Sequence, residues 1–136
     1  MIVRSLNDLQ DMGRVVSAEG WTSQRLLLQE DGMGFSMHDT IIEAGAVLEM
    51  HYKNHLEAVY CVEGEGNVFS VLTETNFPIQ AGTIYALDQN DKHVLTATKT
   101  MRMICVFNPP LVGPESHDDE GAYPLLTAAT PCEASV

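Results

Sequence analysis

The stretch His51-Tyr52-Lys53-Asn54-His55-Leu56-Glu57-Ala58-Val59-Tyr60-Cys61-Val62-Glu63-Gly64-Glu65-Gly66 decides the reading of the chain. From Leu56 onward two sets alternate: Leu56, Ala58, Tyr60 and Val62 against Glu57, Val59, Cys61 and Glu63. Period two is strand period. Glu57 therefore shares a mostly apolar sheet face with Val59 and Cys61. An ionised carboxylate there needs a cation, a proton or hydrogen-bond donors. The Gly64-Glu65-Gly66 run that follows predicts a hairpin turn. Two histidines, two tyrosines and a carboxylate at the rim of a sheet suit a metal site in a small β-barrel.

Outward from this stretch the same period recurs. Strands are predicted at 25–29, 34–44, 47–52, 67–72, 83–87, 93–98 and 100–108, with a short one at 1–5. Residues 5–13 carry an N-cap serine, apolar Leu6, Leu9 and Met12, and a closing glycine, which predicts one or two helical turns. Residues 19–24 read as a polar turn, and 88–92 as a polar loop. Pro109-Pro110 halts strand pairing, because proline has no donor. Many short, evenly spaced strands predict an all-β barrel or jelly roll with one or two short helices. The organisation expected is one domain over 1–125 and a disordered tail over 126–136.

A net charge of −12, with seven basic residues scattered along the 136, points away from nucleic acid, whose phosphates need clustered lysine and arginine. No apolar run approaches the roughly 18 residues of a membrane span, and no signal-peptide core opens the chain. A cytoplasmic protein without membrane contact is expected. Cys61, Cys105 and Cys132 form neither a disulfide framework nor a zinc knuckle. Cys61 and Cys105 read as buried thiols. On pattern alone Tyr85 is a core aromatic, His93 a loop histidine, and Asp118-Asp119-Glu120 a solvated charge run. Trp21 caps the barrel or walls a pocket.

The spacing Gly45-x5-His51-x-Lys53-x3-Glu57-x6-Gly64 resembles the first motif of the cupins, with Lys53 in place of a histidine. Gly82-x2-Tyr85 resembles the second, with tyrosine in place of the metal-binding histidine. A narrower likeness accounts for both departures. The run 51–61, Gly82-Thr83-Ile84-Tyr85-Ala86-Leu87-Asp88, the run 101–111 and His117-Asp118 are together similar to the ectoine synthase family, over about residues 1–125. That resemblance implies a cupin barrel, a head-to-tail homodimer and iron(II) held by Glu57, Tyr85 and His93. It implies substrate contacts at Trp21, Arg25, His38, Thr40, Tyr52, Phe107, Glu115 and His117, with His55 supporting the site. The activity implied is a hydro-lyase reaction in compatible-solute biosynthesis under osmotic stress. It cyclises N-γ-acetyl-L-2,4-diaminobutyrate to ectoine with loss of water.

The residue types suit that chemistry. One histidine and two oxygen ligands accommodate iron(II), and zinc or manganese equally by geometry. Arg25 matches a substrate carboxylate through a forked, charge-assisted bond. Proton transfers can be served by Tyr52, His55, Glu115 and His117, with base and acid unassigned among them. Two other classes stay open: a different cupin chemistry at the same metal, and a cupin that binds a small solute without turnover.

Overall fold

The computed structural model describes residues 1–126. Among them ten strands run in chain order: β1 (Val15–Ala18), β2 (Trp21–Leu27), β3 (Ser36–Ile42), β4 (Val47–Met50), β5 (Leu56–Glu63), β6 (Glu65–Ser70), β7 (Thr75–Gln80), β8 (Ile84–Leu87), β9 (His93–Ala97) and β10 (Met101–Asn108). They form two antiparallel sheets. The larger has the order β1-β2-β3-β10-β5-β8 and the smaller β4-β9-β6-β7. Their inner faces close on one core that includes Val59, Val68, Leu95, Met103 and Phe107. This is the jelly-roll barrel that the alternating pattern predicts. Cys61 and Cys105 are buried free thiols, as expected. The predicted tail from 126 on, with Cys132, lies outside the described residues apart from Leu126.

At residues 1–5, in β2 and at Gly64 the local reading gives way to tertiary contacts. Residues 1–5 form no strand. Instead the Arg4 guanidinium donates to the Leu26 carbonyl at 2.9 Å and to Asp31 at 3.0 Å, which ties the N-terminus to the outside of the barrel. The expected helix is one turn, α1 (Leu6–Leu9); only Leu9 reaches the core while Met12 stays exposed. Of the polar turn predicted at 19–24, residues 19–20 do turn, whereas 21–24 open β2, which pairs with β1 on one side and β3 on the other. Trp21, Ser23 and Arg25 point inward with period two. A strand whose inner face is partly polar carries no hydropathy signal.

The last correction concerns Gly64. It makes no hairpin, since β5 pairs with β10 and β8 whereas β6 pairs with β7 and β9. The chain crosses there from one sheet to the other. Gly64 has φ +99°, and a Cβ on it would lie 2.2 Å from the Thr100 carbonyl oxygen. Only glycine passes so close to a neighbouring backbone. Pro78, by contrast, sits on the edge strand β7, where a missing N–H is tolerated. No helix of the described residues is long and apolar enough to cross a membrane.

Candidate active site

Cross-strand register assembles the site. Residues directly opposite one another in an antiparallel pair share a face. Arg25 on β2 faces His38 on β3, His38 faces Cys105 on β10, Cys105 faces Val59 on β5, and Val59 faces Tyr85 on β8. The neighbouring row runs Ser36, Phe107, Glu57 and Leu87. A third pairs Ser23 with Thr40 and Thr40 with Met103. Five strands thus set Arg25, His38, Thr40, Glu57, Tyr85 and Phe107 on one inner wall. β9 and the segment 117–123 supply the opposing side. Trp21, His38, Thr40, Tyr52, Glu57, Tyr85, Phe107 and His117 line the resulting cleft, together with Cys105 and Tyr123.

Glu57 is 7 % exposed, and among the described residues no basic side chain pairs with it. Burial pushes its carboxyl up to about 8, against a smaller opposing pull from the Cys105 thiol. Burial, with Glu57 nearby, also pushes the Tyr85 phenol upward. His93 opens β9 with its ring 6.5 Å from that of Tyr85. It is buried, not the loop histidine that pattern suggested. Its Nδ1 lies 2.8 Å from the Asp91 carbonyl oxygen, so Nδ1 carries the proton and Nε2 keeps its lone pair. Nε2 is buried and has no protein partner. A backbone carbonyl that fixes the tautomer behind a free ring nitrogen is how proteins prepare a histidine ligand. An unpaired carboxylate, a phenol and such a histidine fit a hard or borderline divalent cation. Among the described residues no group of three or more His, Cys, Asp or Glu is gathered as a metal cage. The set here has two such residues, and the tyrosine would be the third donor.

Arg25 is fully buried at the other end of the first row. Its Nε donates to Ser23 Oγ at 3.1 Å and its Nη1 to the Gly113 carbonyl at 2.7 Å. Nη2 is buried without a hydrogen-bond partner. A desolvated guanidinium with one arm spare is a receptor for an anion. His38 lies between Ser23 Oγ at 3.4 Å and Ser36 Oγ at 3.2 Å. Burial, reinforced by Arg25, keeps its imidazole neutral.

Tyr52 and His117 form a close polar pair in the cleft. The Tyr52 hydroxyl is 2.8 Å from His117 Nε2. Burial raises the phenol well above its ordinary range. Burial also brings His117 down to about 4, helped by the positive charge of Arg25. Both groups are therefore neutral near pH 7, and the Tyr52 hydroxyl also lies 3.2 Å from Met50 Sδ, to which it donates when His117 Nε2 carries a proton. Trp21 lies against His117 with ring centroids 4.9 Å apart, so it walls the cleft.

Of the expected residues, Arg25, His93, His55 and Glu115 do not themselves line this cleft. His55 is buried edge-on to Phe107 and Tyr123 and does not line the cleft. Glu115 accepts the Val112 and Gly113 backbone N–H groups, each at 2.7 Å, and so braces the loop whose Gly113 carbonyl receives Arg25. Lys53 pairs with Glu120 at the surface. Asp118, read as part of a solvated run, instead accepts the Glu120 and Ala122 N–H groups and shapes a turn. Sequence reading missed Ser23, Cys105 and Tyr123. Tyr123 left no periodic signal, because it follows an irregular acidic loop.

Comparison with known proteins agrees with this geometry. The model of a family described as ectoine synthase matches residues 1–127. The L-ectoine synthase of Saccharophagus degradans is 58 % identical over 129 residues, covering 95 % of this chain and 98 % of that protein. The crystal structure of ectoine synthase from P. lautus superposes with a TM-score of 0.83 at 53 % identity, covering 93 % of this chain and 91 % of that one. A cupin 2 conserved barrel domain protein from Salinispora arenicola, 18 % identical with a TM-score of 0.62 over 79 % of this chain and 87 % of that one, shares the fold. The chain is a cupin barrel and belongs to the ectoine synthase family.

Proposed function

We propose that this protein is an iron(II)-dependent hydro-lyase that closes N-γ-acetyl-L-2,4-diaminobutyrate into ectoine with release of water. The observation that carries the reading is the division of one buried wall of the barrel. A buried arginine with a spare arm sits at one end of a row, and an unpaired glutamate and a tautomer-fixed histidine lie towards the other. Those two ends suit a carboxylate and an amide on one small molecule.

Arg25 binds the carboxylate through Nη2 and holds the substrate in register. Glu57, Tyr85 and His93 would hold the iron. Bound there, it would polarise the amide oxygen and stabilise the developing negative charge by several kcal/mol. The attacking amine must be neutral. Neutral His117 accepts its proton at Nδ1 and passes its Nε2 proton to the Tyr52 oxygen, while the Tyr52 hydroxyl gives its own proton to the departing oxygen. A C–N bond forms, a C–O bond breaks, and two protons pass from nitrogen to oxygen as water leaves. Trp21 and Phe107 exclude bulk water, which favours dehydration, and a folded-over substrate gains from proximity.

The proposed setting is a cytoplasmic enzyme of compatible-solute biosynthesis, active under osmotic stress. A head-to-tail homodimer is part of the proposal. The outer face of the larger sheet leaves Leu56, Tyr60 and Ile84 exposed at 41 %, 47 % and 64 %, an apolar strip suited to a second copy. Light scattering reports the assembly. Purified protein with iron(II) and the acetylated diamino acid tests the activity, and the expected outcome is the cyclic product. No product at full metal loading would overturn the reading. Ectoine binding without turnover would favour a solute-binding cupin.

A further inference from the structure

The segment 117–123 follows the last strand and lies along the end of the cleft. It is pinned at three points. The His51 N–H donates to the Gly121 carbonyl at 3.1 Å. Gly121 has φ +73°, and a Cβ there would meet the Glu49 carbonyl oxygen at 2.3 Å, so the segment presses against the end of β4. Asn54 Nδ2 donates to the Tyr123 carbonyl at 3.0 Å. Asn54 is itself held in place, because Asn90 Nδ2 donates to the carbonyls of Tyr52 and His55 on either side of it, at 2.9 and 3.1 Å.

This pinning delivers Tyr123, 4 % exposed, to the middle of the reacting groups. Its ring stacks on Tyr52 at 5.2 Å with a 25° tilt and lies 4.6 Å from His117. The Arg25 guanidinium carbon is 5.5 Å from its centroid, within cation–π range. One aromatic ring thus touches the proposed carboxylate receptor and both members of the proton-handling pair. Without the ring, Tyr52 and His117 would keep only their mutual hydrogen bond and their outer neighbours.

We infer that Tyr123 is a positioning residue for the cyclisation, clamping Arg25, Tyr52 and His117 in one stack, with Asn54 as the latch of the segment that carries it; the inference rests on the function proposed above. Trp21 is the single tryptophan and touches His117, so its fluorescence reports whether the stack is intact.

The test compares Tyr123→Leu, Tyr123→Phe and Asn54→Ala with the unmodified protein. It measures kcat, KM, bound iron and acrylamide quenching of Trp21. Tyr123→Leu should retain iron and lose about 10²-fold in kcat/KM, as expected when reacting groups shift by about 1 Å. The loss should fall on kcat through Tyr52 and His117 and on KM through Arg25, and quenching should rise. Tyr123→Phe keeps the ring and should recover most of the loss. Asn54→Ala removes one hydrogen bond and should cost about fivefold; it carries the test if the leucine variant does not fold. Tyr123→Leu with kcat and KM within about twofold of the unmodified protein, or Tyr123→Phe as impaired as Tyr123→Leu, would overturn the inference. If the unmodified protein shows no turnover, the proposed function fails, and unchanged quenching in Tyr123→Leu and Asn54→Ala would separately overturn the stack.

Discussion

Asp31 and Glu57 are both largely hidden carboxylates, with 8 % exposure for the Asp31 side chain and 7 % for Glu57, yet their surroundings differ. Asp31 accepts from Arg14 at 2.8 Å, from Arg4 at 3.0 Å and from the Leu28 N–H at 2.9 Å. Those donors hold its pKa well below the ordinary aspartate range, despite the opposing effect of burial. Glu57 has no such partners among the described residues, and its carboxyl is pushed up to about 8. Asp31 is satisfied by the protein and fastens the N-terminus to the barrel. Glu57 has only the Cys105 thiol to oppose its burial, which suits the metal-holding role proposed for it. A buried charge that is paired describes structure, whereas one left unpaired in a cleft describes a site.

The contrast breaks first at Glu57. Glu57→Ala and His93→Ala should each lose most bound iron and at least about 10²-fold in kcat/KM, since even residues that only support a metal ligand cost 10- to 100-fold. Metal analysis of either variant at full iron content would remove it from the ligand set. Arg25→Ala should keep its iron and raise KM by about 10²-fold, the usual loss for a buried charge-assisted bond. An unchanged KM would exclude the carboxylate role.

Asp31→Asn should leave iron and KM alone and lower stability by about 2 kcal/mol, as for a lost charged hydrogen bond. Urea unfolding measures it. The sign with pH follows from the depressed folded pKa. Its contribution is full above the ordinary aspartate value of 3.8 and drains away as pH falls toward the folded value. Asp31→Asn should therefore flatten the acid limb of the stability curve. The smallest effect concerns the acid limb of activity. His117 acts as a base only when neutral, and its pKa is held down to about 4. Turnover should persist well below pH 6.5 and fall toward pH 4 in a pH–kcat/KM profile.

Much of the barrel was legible because strand period survives wherever apolar residues face in, as in β5 and β10. It failed at β2, where Ser23 and Arg25 face a polar cleft and hide the alternation. The same inversion marks the site, so the strand hardest to read is one that serves function. Family likeness supplied Tyr85, which pattern alone assigned to the core. It did not supply Tyr123; it gave His55 a supporting place, and the structure buries His55 edge-on to Phe107 and Tyr123.

By itself the sequence determined an all-β chain, the inward direction of Glu57 and the motifs that make it a member of its family. Alternation and spacing are local properties, and a side chain's face follows from its parity along the strand. The tertiary structure alone decided that Gly64 passes between sheets, that Arg25 shares a row with Tyr85, and that Tyr123 returns to cover Tyr52. Those relations join residues 36 to 71 positions apart through register, sheet crossing and backbone anchoring. Period two names a face, but it does not say which distant segment will close over it.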